Sequence, residues 1–314
     1  MTGDLGFDTT ATASAVFAGS ALRFAAPLLL GATGELVSQR AGVLNMSLEG
    51  MMLTGAFAAA LGSWASGDAL VGLAAALLAV LPLALLQAFL SVTLGANQIV
   101  TGIGINILAL GGTTLAYREI FGSRSNAVIP ALSGWAPPGL RELPLVGHAV
   151  FGQVWLLYLG LAMLAGVAWM LRNTALGLAV HASGAEPGAV EKAGMSVVRL
   201  RYGAVLFSGL MAALAGSFIS IGDIHTFTEG MTGGAGYLAI AAIIFGNWKP
   251  GRTLLACLLF GAASALQFFL PAIGVTVPGA LLMMLPYVLA LLAVAGLIGR
   301  QTAPSALTRP YLRN

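Results

Sequence analysis

Apolar residues run along this chain in long blocks separated by short polar breaks. Nine blocks stand out, at about 13–34, 46–65, 70–93, 97–117, 151–171, 202–222, 236–248, 253–270 and 280–299. A helix needs about 20 residues to cross about 30 Å of hydrocarbon, so eight of the nine are the right length for a transmembrane helix. The seventh is short. It predicts a partial or broken helix, or one that borrows the Gly-rich residues 229–235. A membrane β-barrel would instead show alternating segments of about 10 residues. The pattern therefore predicts an all-α polytopic membrane protein with about nine transmembrane helices.

Composition strengthens that reading. The chain has 314 residues, 58% hydrophobic and 8% charged, with mean hydropathy +0.93. Soluble domains carry about 25% charged residues. The formal charge of +3 does not imply a nucleic-acid partner, because the basic residues sit at span ends, where they set topology. Membrane lipid is the expected surroundings. Cys257 is the single cysteine and lies in an apolar block. No disulfide framework or cysteine metal site is expected. The first ten residues carry two acids and no base, unlike the basic start of a cleaved signal peptide.

Charge then orients the spans. With 172–201 on the cytoplasmic side and the spans alternating, that side receives Arg40, Arg172, Lys192, Arg199, Arg201, Lys249, Arg252, Arg300, Arg309 and Arg313. The outer side receives Arg118, Arg124 and Arg141 among most of the acids. This asymmetry predicts an outer N-terminus and a cytoplasmic C-terminus. The loop at 122–150 is rich in Pro and Gly and is expected to be ordered by turns. The tail at 300–314 is too polar and short to fold alone.

Residues 49–64 and 229–248 echo one another: each begins Glu-Gly-Met and ends Gly-x-Trp. Running in opposite senses, they predict an inverted repeat, spans 1–4 against spans 6–9. The division is then one domain: a first repeat at about 13–117, the loop 122–150, a linking span at 151–171, a cytoplasmic loop at 172–201, a second repeat at about 202–299 and the tail. Such repeats place solute sites at their interface near the midplane.

Polar groups in hydrocarbon are costly and cluster where function needs them. Asn45, Ser47 and Glu49 interrupt an apolar stretch between glycines, as in a broken helix lining a cavity. An ordinary capped turn is the plainer reading. Asn97, Gln98 and Asn106 form a polar wall of span 4 or serve as interhelical hydrogen bonds. His225, Phe227, Glu229, Thr232 and Tyr237 form a further candidate cluster. Its aromatic rings offer a stacking surface for a flat solute. A flexible outer turn is the alternative. Asn247 to Pro250 read as an interfacial anchor. Arg23 in span 1 is expected to snorkel or to pair with a carboxylate. Glu35 and Glu229 lie near span ends.

The stretch 172–201 is the longest polar interruption of the second half. Within it GAEPGAVEKAG, 184–194, reads as a short helix. Pro187 suits a first helical position, Ala189 to Ala193 favour helix, and Gly194 can take the positive φ that ends one. Such a helix is either a surface connector or a knob gripped by another protein. Its residues, together with TALGL (174–178), RAGVLNMSLEGMMLTGAFAA (40–59), NQIVTGIGINILAL (97–110) and FTEGMTGGAGYLAIAAIIFGNWKP (227–250), resemble ABC-importer permeases. The branch is the one for nucleosides, simple sugars and branched-chain amino acids, and nucleoside permeases are nearest. The resemblance covers nearly the whole chain.

The resemblance implies a bacterial inner-membrane location, a type II-like importer fold, a separate cytoplasmic ATPase that holds ATP and magnesium, a second permease that is a different but related chain, and an extracytoplasmic solute-binding lipoprotein. It assigns Gly184, Glu186, Pro187, Ala189, Glu191, Lys192 and Gly194 to ATPase coupling. The chain itself carries no phosphate-cradling G-x-x-x-x-G-K-[ST]. His148, His181 and His225 show no zinc-protease spacing, and no metal site or catalytic set is expected. A simple-sugar or branched-chain amino acid permease is the alternative solute class. An ion-coupled secondary transporter is the rival mechanism, and it would need more intramembrane carboxylates than Glu49 alone.

Overall fold

A computed structural model describes residues 5–122, 129–135, 150–275, 277–295 and 302–311. The helices are α1 (Leu5–Arg40), α2 (Leu48–Ser66), α3 (Ala69–Ala88) with a π-helical turn at Phe89–Thr93, and α4 (Gln98–Phe121). Then come α5 (Trp155–Asn173), α6 (Ala175–Ala185), α7 (Pro187–Lys192) and α8 (Val197–Ser217) with a second π-helical turn at Phe218–Ile224. The chain continues with α9 (Ala235–Phe245), α10 (Pro250–Ala272) and α11 (Gly279–Val294). Nine of these helices fall on the nine apolar blocks. Six of them are long and apolar enough to cross a membrane. The seventh block is indeed short: α9 holds only 11 residues and starts after a looped 228–234. Among the described residues the one extended pairing is an isolated bridge between Gly134 and Val154.

The long helix α8 sits at the centre, with 78% of its apolar window buried, whereas 22% of the α4 window is. Its neighbours pair in a symmetric way. α1 packs on α10 and α9, and α8 packs on α3 and α2. α2 packs on α3 and α4, and α9 packs on α10 and α11. Exchanging α1–α4 with α8–α11 carries each pairing into another, which is the arrangement expected of a repeat. α5 stands outside this scheme, against α1 and α10. The sequence echo marks the repeat only loosely. Glu49-Gly50-Met51 lies in the first turn of α2, whereas Glu229-Gly230-Met231 lies in the loop before α9.

Small residues let these helices cross backbone to backbone, as is common in membranes. A Cβ on Gly216 of α8 would sit 1.9 Å from the Met52 carbonyl oxygen of α2. Around that crossing Met51, Met52, Met211, Phe218, Ile221 and Phe260 are almost fully buried. Large apolar side chains are exposed instead along α4 and α11, among them Ile103, Ile107, Leu115, Met283 and Leu291.

One segment differs from expectation, and the tail, expected not to fold alone, docks on other helices. The helix α6 has no counterpart among the predicted elements. Thr174 starts it, its Oγ1 accepting from Gly177 N at 3.0 Å. The tail is not free either. Ser305 Oγ donates to Ala185 O at 2.6 Å and Ala306 N to Gly184 O at 2.8 Å, so residues 302–311 lie along the α6–α7 junction. Of the loop 122–150, residues 129–135 are held by helices: Leu132 N donates to Ile221 O at 2.9 Å and Ser63 Oγ to Pro130 O at 2.6 Å. Pro137, Pro138, Pro144 and His148 lie outside the described residues, as do Arg124, Arg141, Arg300 and Arg313.

Candidate translocation site and coupling surface

The break between α1 and α2 is a tight turn folded back along α1, and it is buried. Asn45 and Ser47 are fully inaccessible. Glu35, near the end of α1, is the centre of their network. Its Oε1 accepts from Gln39 Nε2 at 2.9 Å and Asn45 N at 3.0 Å, and its Oε2 from Ser208 Oγ at 3.0 Å. Asn45 Nδ2 donates to Ser208 Oγ at 3.0 Å, and Ser47 Oγ donates to Asn45 Oδ1 at 2.6 Å. Gln98 Oε1 accepts from Leu44 N at 2.8 Å. These groups tie α1, α4 and α8 to the turn. Glu35 reads from sequence as a residue near a span end, but here it is wholly buried and fully partnered.

Trp248 was expected at the interface, yet it is buried at 4% exposure. Its indole Nε1 donates to Gln39 Oε1 at 2.7 Å, and its carbonyl accepts from Arg40 Nε at 3.0 Å. These bonds hold Asn247 and Trp248 in successive left-handed conformations, φ +52° and +53°, which cost free energy without such support. Arg40 also approaches His181 Nδ1 at 3.4 Å. Burial, and then the Arg40 charge, lower the His181 pKa and favour the neutral ring.

Glu49 organises a second network between α2 and the start of α9. It lies in the first turn of α2, and its carboxylate reaches the start of α9. Oε1 accepts from Thr232 Oγ1 at 2.6 Å and Gly234 N at 2.8 Å; Oε2 accepts from Gly236 N at 2.7 Å. The positive ends of both helices therefore converge on one carboxylate, a favourable place for negative charge. The approach demands glycine, since a Cβ on Gly236 would lie 2.7 Å from the Glu49 Cα.

Two flanking helices close this junction in matching ways. On α4, Asn106 Nδ2 donates to Met46 O and to Tyr237 Oη, both at 2.8 Å, while its Oδ1 accepts from Gly50 N at 2.7 Å. On α11, Tyr287 Oη donates to Gly233 O at 2.5 Å. Asn106 and Thr232 are buried, but Tyr237 is 39% and Tyr287 42% exposed. The result is a polar, aromatic patch on a lateral face whose other exposed side chains are apolar. Asn97 is not part of it. Half a turn away from Asn106 at about 100° per residue, it caps α4, its Oδ1 accepting from Ile99 N at 3.0 Å.

The remaining candidates lie at the far end. Phe227 is buried at 1% exposure between Phe57 and Tyr117, with centroids 5.2 and 5.4 Å away. Glu229 pairs with Arg118 through two bonds, Arg118 Nε to Oε1 at 2.7 Å and Nη2 to Oε2 at 3.0 Å. The hydrogen-bonding guanidinium holds its carboxyl below the usual range. His225 is exposed, its Nε2 3.3 Å from Gly222 O. Arg23 pairs with Asp223.

At the opposite end, α7 stands as a short ridge. Pro187 opens it, and a Schellman motif closes it: Met195 N donates to Val190 O at 3.1 Å and Gly194 N to Glu191 O at 2.8 Å, with Gly194 at φ +81°. Val190 is buried, whereas Glu186, Ala189, Lys192 and Gly194 are exposed and Glu191 is half-buried. Gly184 anchors the ridge, because a Cβ there would lie 2.1 Å from the Arg40 carbonyl oxygen.

An all-helical bundle in which six of the described helices are long and apolar enough to cross a membrane defines a multi-pass membrane protein. Residues 17–294 match the family described as "Branched-chain amino acid transport system / permease component", and the chain belongs to this family. It is 35% identical over 302 residues to the guanosine ABC transporter permease protein NupQ of Bacillus subtilis, covering 93% of this chain and 95% of that one. It is 35% identical over 244 residues to the putative glucose ABC transporter permease protein TsgC13 of Haloferax volcanii, covering 76% and 73%. It is 28% identical over 304 residues to the nucleoside ABC transporter permease protein NupC of Lactococcus lactis, covering 93% and 95%. No solved structure matches the chain. The chain is thus a permease subunit of an ABC transporter, and the family, rather than any scarcity of carboxylates, separates it from ion-coupled carriers.

Proposed function

We propose that this permease forms half of the translocation path of an importer for nucleosides or closely related small polar solutes. The observation that carries the reading is the patch of Tyr237, Tyr287, Asn106 and Glu49. Half-exposed tyrosine hydroxyls beside a partly buried carboxylate are costly against lipid, so this face belongs against a second permease, across a path between the two. The exposed tyrosine rings offer the stacking surface that a purine or pyrimidine base uses, and the names of NupQ and NupC agree with that solute class. The second permease is a related, different chain.

The ridge α7, with Glu186, Ala189, Lys192 and the tight stop at Gly194, is the surface received by a cytoplasmic ATPase. That subunit supplies ATP and magnesium; this chain has no phosphate-binding loop. ATP-driven closure of the ATPase pair moves the ridge, and the packed helices carry the movement to the Glu49 junction. In this orientation the α7 end and the tail lie in the cytoplasm and the Arg118–Glu229 end lies outside the inner membrane, where a solute-binding lipoprotein delivers its cargo.

The test is uptake by the reconstituted transporter, with its own ATPase, second permease and binding protein, of labelled guanosine, glucose and leucine. Guanosine uptake that requires ATP is expected. Tyr287→Ala should raise its KM more than Tyr287→Phe, which keeps the ring. Glucose or leucine uptake that excess nucleoside fails to inhibit would overturn the solute assignment.

A further inference from the structure

We infer that the groove between α5 and α8 is a binding site for one anionic phospholipid. The two helices enclose an open cavity of about 460 Å³, within the range of ligand sites. Its walls include Met163, Gly166, Val180, Gly203 and Phe207, and Arg199 is the one charged residue lining it. A Cβ on Gly166 or Gly203 would meet nothing within 4 Å, so protein does not fill the space between the helices. An apolar space with so few polar partners does not hold ordered water. At membrane depth its natural occupant is hydrocarbon.

The charge at the mouth selects which lipid. Arg199 lies in the first turn of α8, and Arg172 lies in the last turn of α5, two residues beyond the lining Met170. Both are exposed, and among the described residues neither forms an ion pair. Two free guanidiniums at the α7 end of an apolar slot match a phosphate headgroup above an acyl chain. The slot is also lined by Leu176 and Val180 of α6, so an occupant touches the helix that precedes the coupling ridge. This site is lined by helices other than those of the solute patch, and it requires only that the chain spans a membrane.

The experiment uses the full-length chain, delipidated in detergent and titrated with phosphatidylglycerol or phosphatidylcholine of identical acyl chains, with retained lipid counted by native mass spectrometry. The wild type should retain one phosphatidylglycerol at least fivefold more readily than phosphatidylcholine. The exposed pair Arg172→Ala, Arg199→Ala should erase that preference. Gly166→Leu and Gly203→Leu, which grow into open space, should abolish retention of both lipids while the melting temperature holds. Glycerol phosphate alone should not bind; saturable binding of it would reduce the site to a surface anion contact and overturn the proposal. Equal retention of the two lipids would also overturn it, as would retention unchanged in folded Gly166→Leu. If adducts disappear once the ATPase and second permease are assembled, the groove is a protein interface and the proposal fails. Should the leucine variants not fold, the arginine pair decides.

Discussion

Replacing Glu49 with Gln tests whether one carboxylate holds α2 against the start of α9. The side chain keeps its size and loses its charge. Three donors face it: Thr232 Oγ1, Gly234 N and Gly236 N. A carboxamide has a single acceptor oxygen. Placed at Oε1, that oxygen keeps Thr232 and Gly234, and the new NH₂ then confronts Gly236 N–H. At least one bond to a charged group is lost, worth about 1.5–3 kcal/mol, and so is the interaction with two helix N-termini, about 0.3–2 kcal/mol. Glu49 is half-buried, which argues for the middle of the sum, about 2–4 kcal/mol. The measurement pairs thermal unfolding in nanodiscs with solute uptake by the reconstituted transporter. Glu49→Gln should melt several degrees lower and transport poorly, and Glu49→Ala should be worse in both. Full transport by a Glu49→Gln protein of unchanged melting temperature would refute the reasoning. A normal melting temperature with a raised KM alone would make Glu49 a solute ligand instead of a clamp.

Two further outcomes follow from the α7 end. Gly194 has open space around it but φ of +81°, so Gly194→Val meets no clash and costs about 1–2 kcal/mol through the backbone alone. The solute moved per ATP hydrolysed should fall, with Gly194→Asn nearer normal; equal coupling in all three proteins would show that the tight stop is irrelevant. His181 is held neutral by burial and by Arg40. Above its ordinary value of 6.5, folded and unfolded rings are both neutral and the residue adds no pH dependence. As pH falls below that value the unfolded ring gains a proton that the folded one resists, so stability declines. His181→Gln should flatten the pH profile of melting between about 5 and 7, and a profile as steep as that of the wild type would remove His181 as its cause.

The helices were legible because hydrocarbon demands length and apolarity at once, and eight of the nine blocks satisfied both. The short α9 was legible for the same reason, by falling short. Partners were less so. Glu49 stands out as an acid in an apolar stretch, but its three donors lie more than 180 positions away, and no local pattern points to them. Tyr287 was missed because a tyrosine in a greasy block reads as lipid-facing bulk. Phe227 shows the converse: beside a histidine and an acid it reads as a solute ring, and packing with Phe57 and Tyr117 uses it up. Asn97 and Asn106 are the same residue type on one helix. One caps its end and the other bridges three segments, a difference made by what α2 and α9 bring to Asn106. The helix α6 went unseen because eleven mixed residues with two glycines carry too little periodicity.

The docking of residues 302–311 has a consequence for how the protein is made. Every membrane helix and the ridge α7 leave the ribosome before this segment does. Arg201, 1% exposed, donates through Nη1 to Arg309 O at 3.1 Å, and the carbonyls of Gly184 and Ala185 take their partners from Ala306 and Ser305. A nascent or truncated chain therefore presents a ridge whose foundation still lacks bonding partners. The ridge proposed to meet the ATPase is thus completed by residues translated after every described helix, so a chain abandoned before them is poorly fitted to join an assembly.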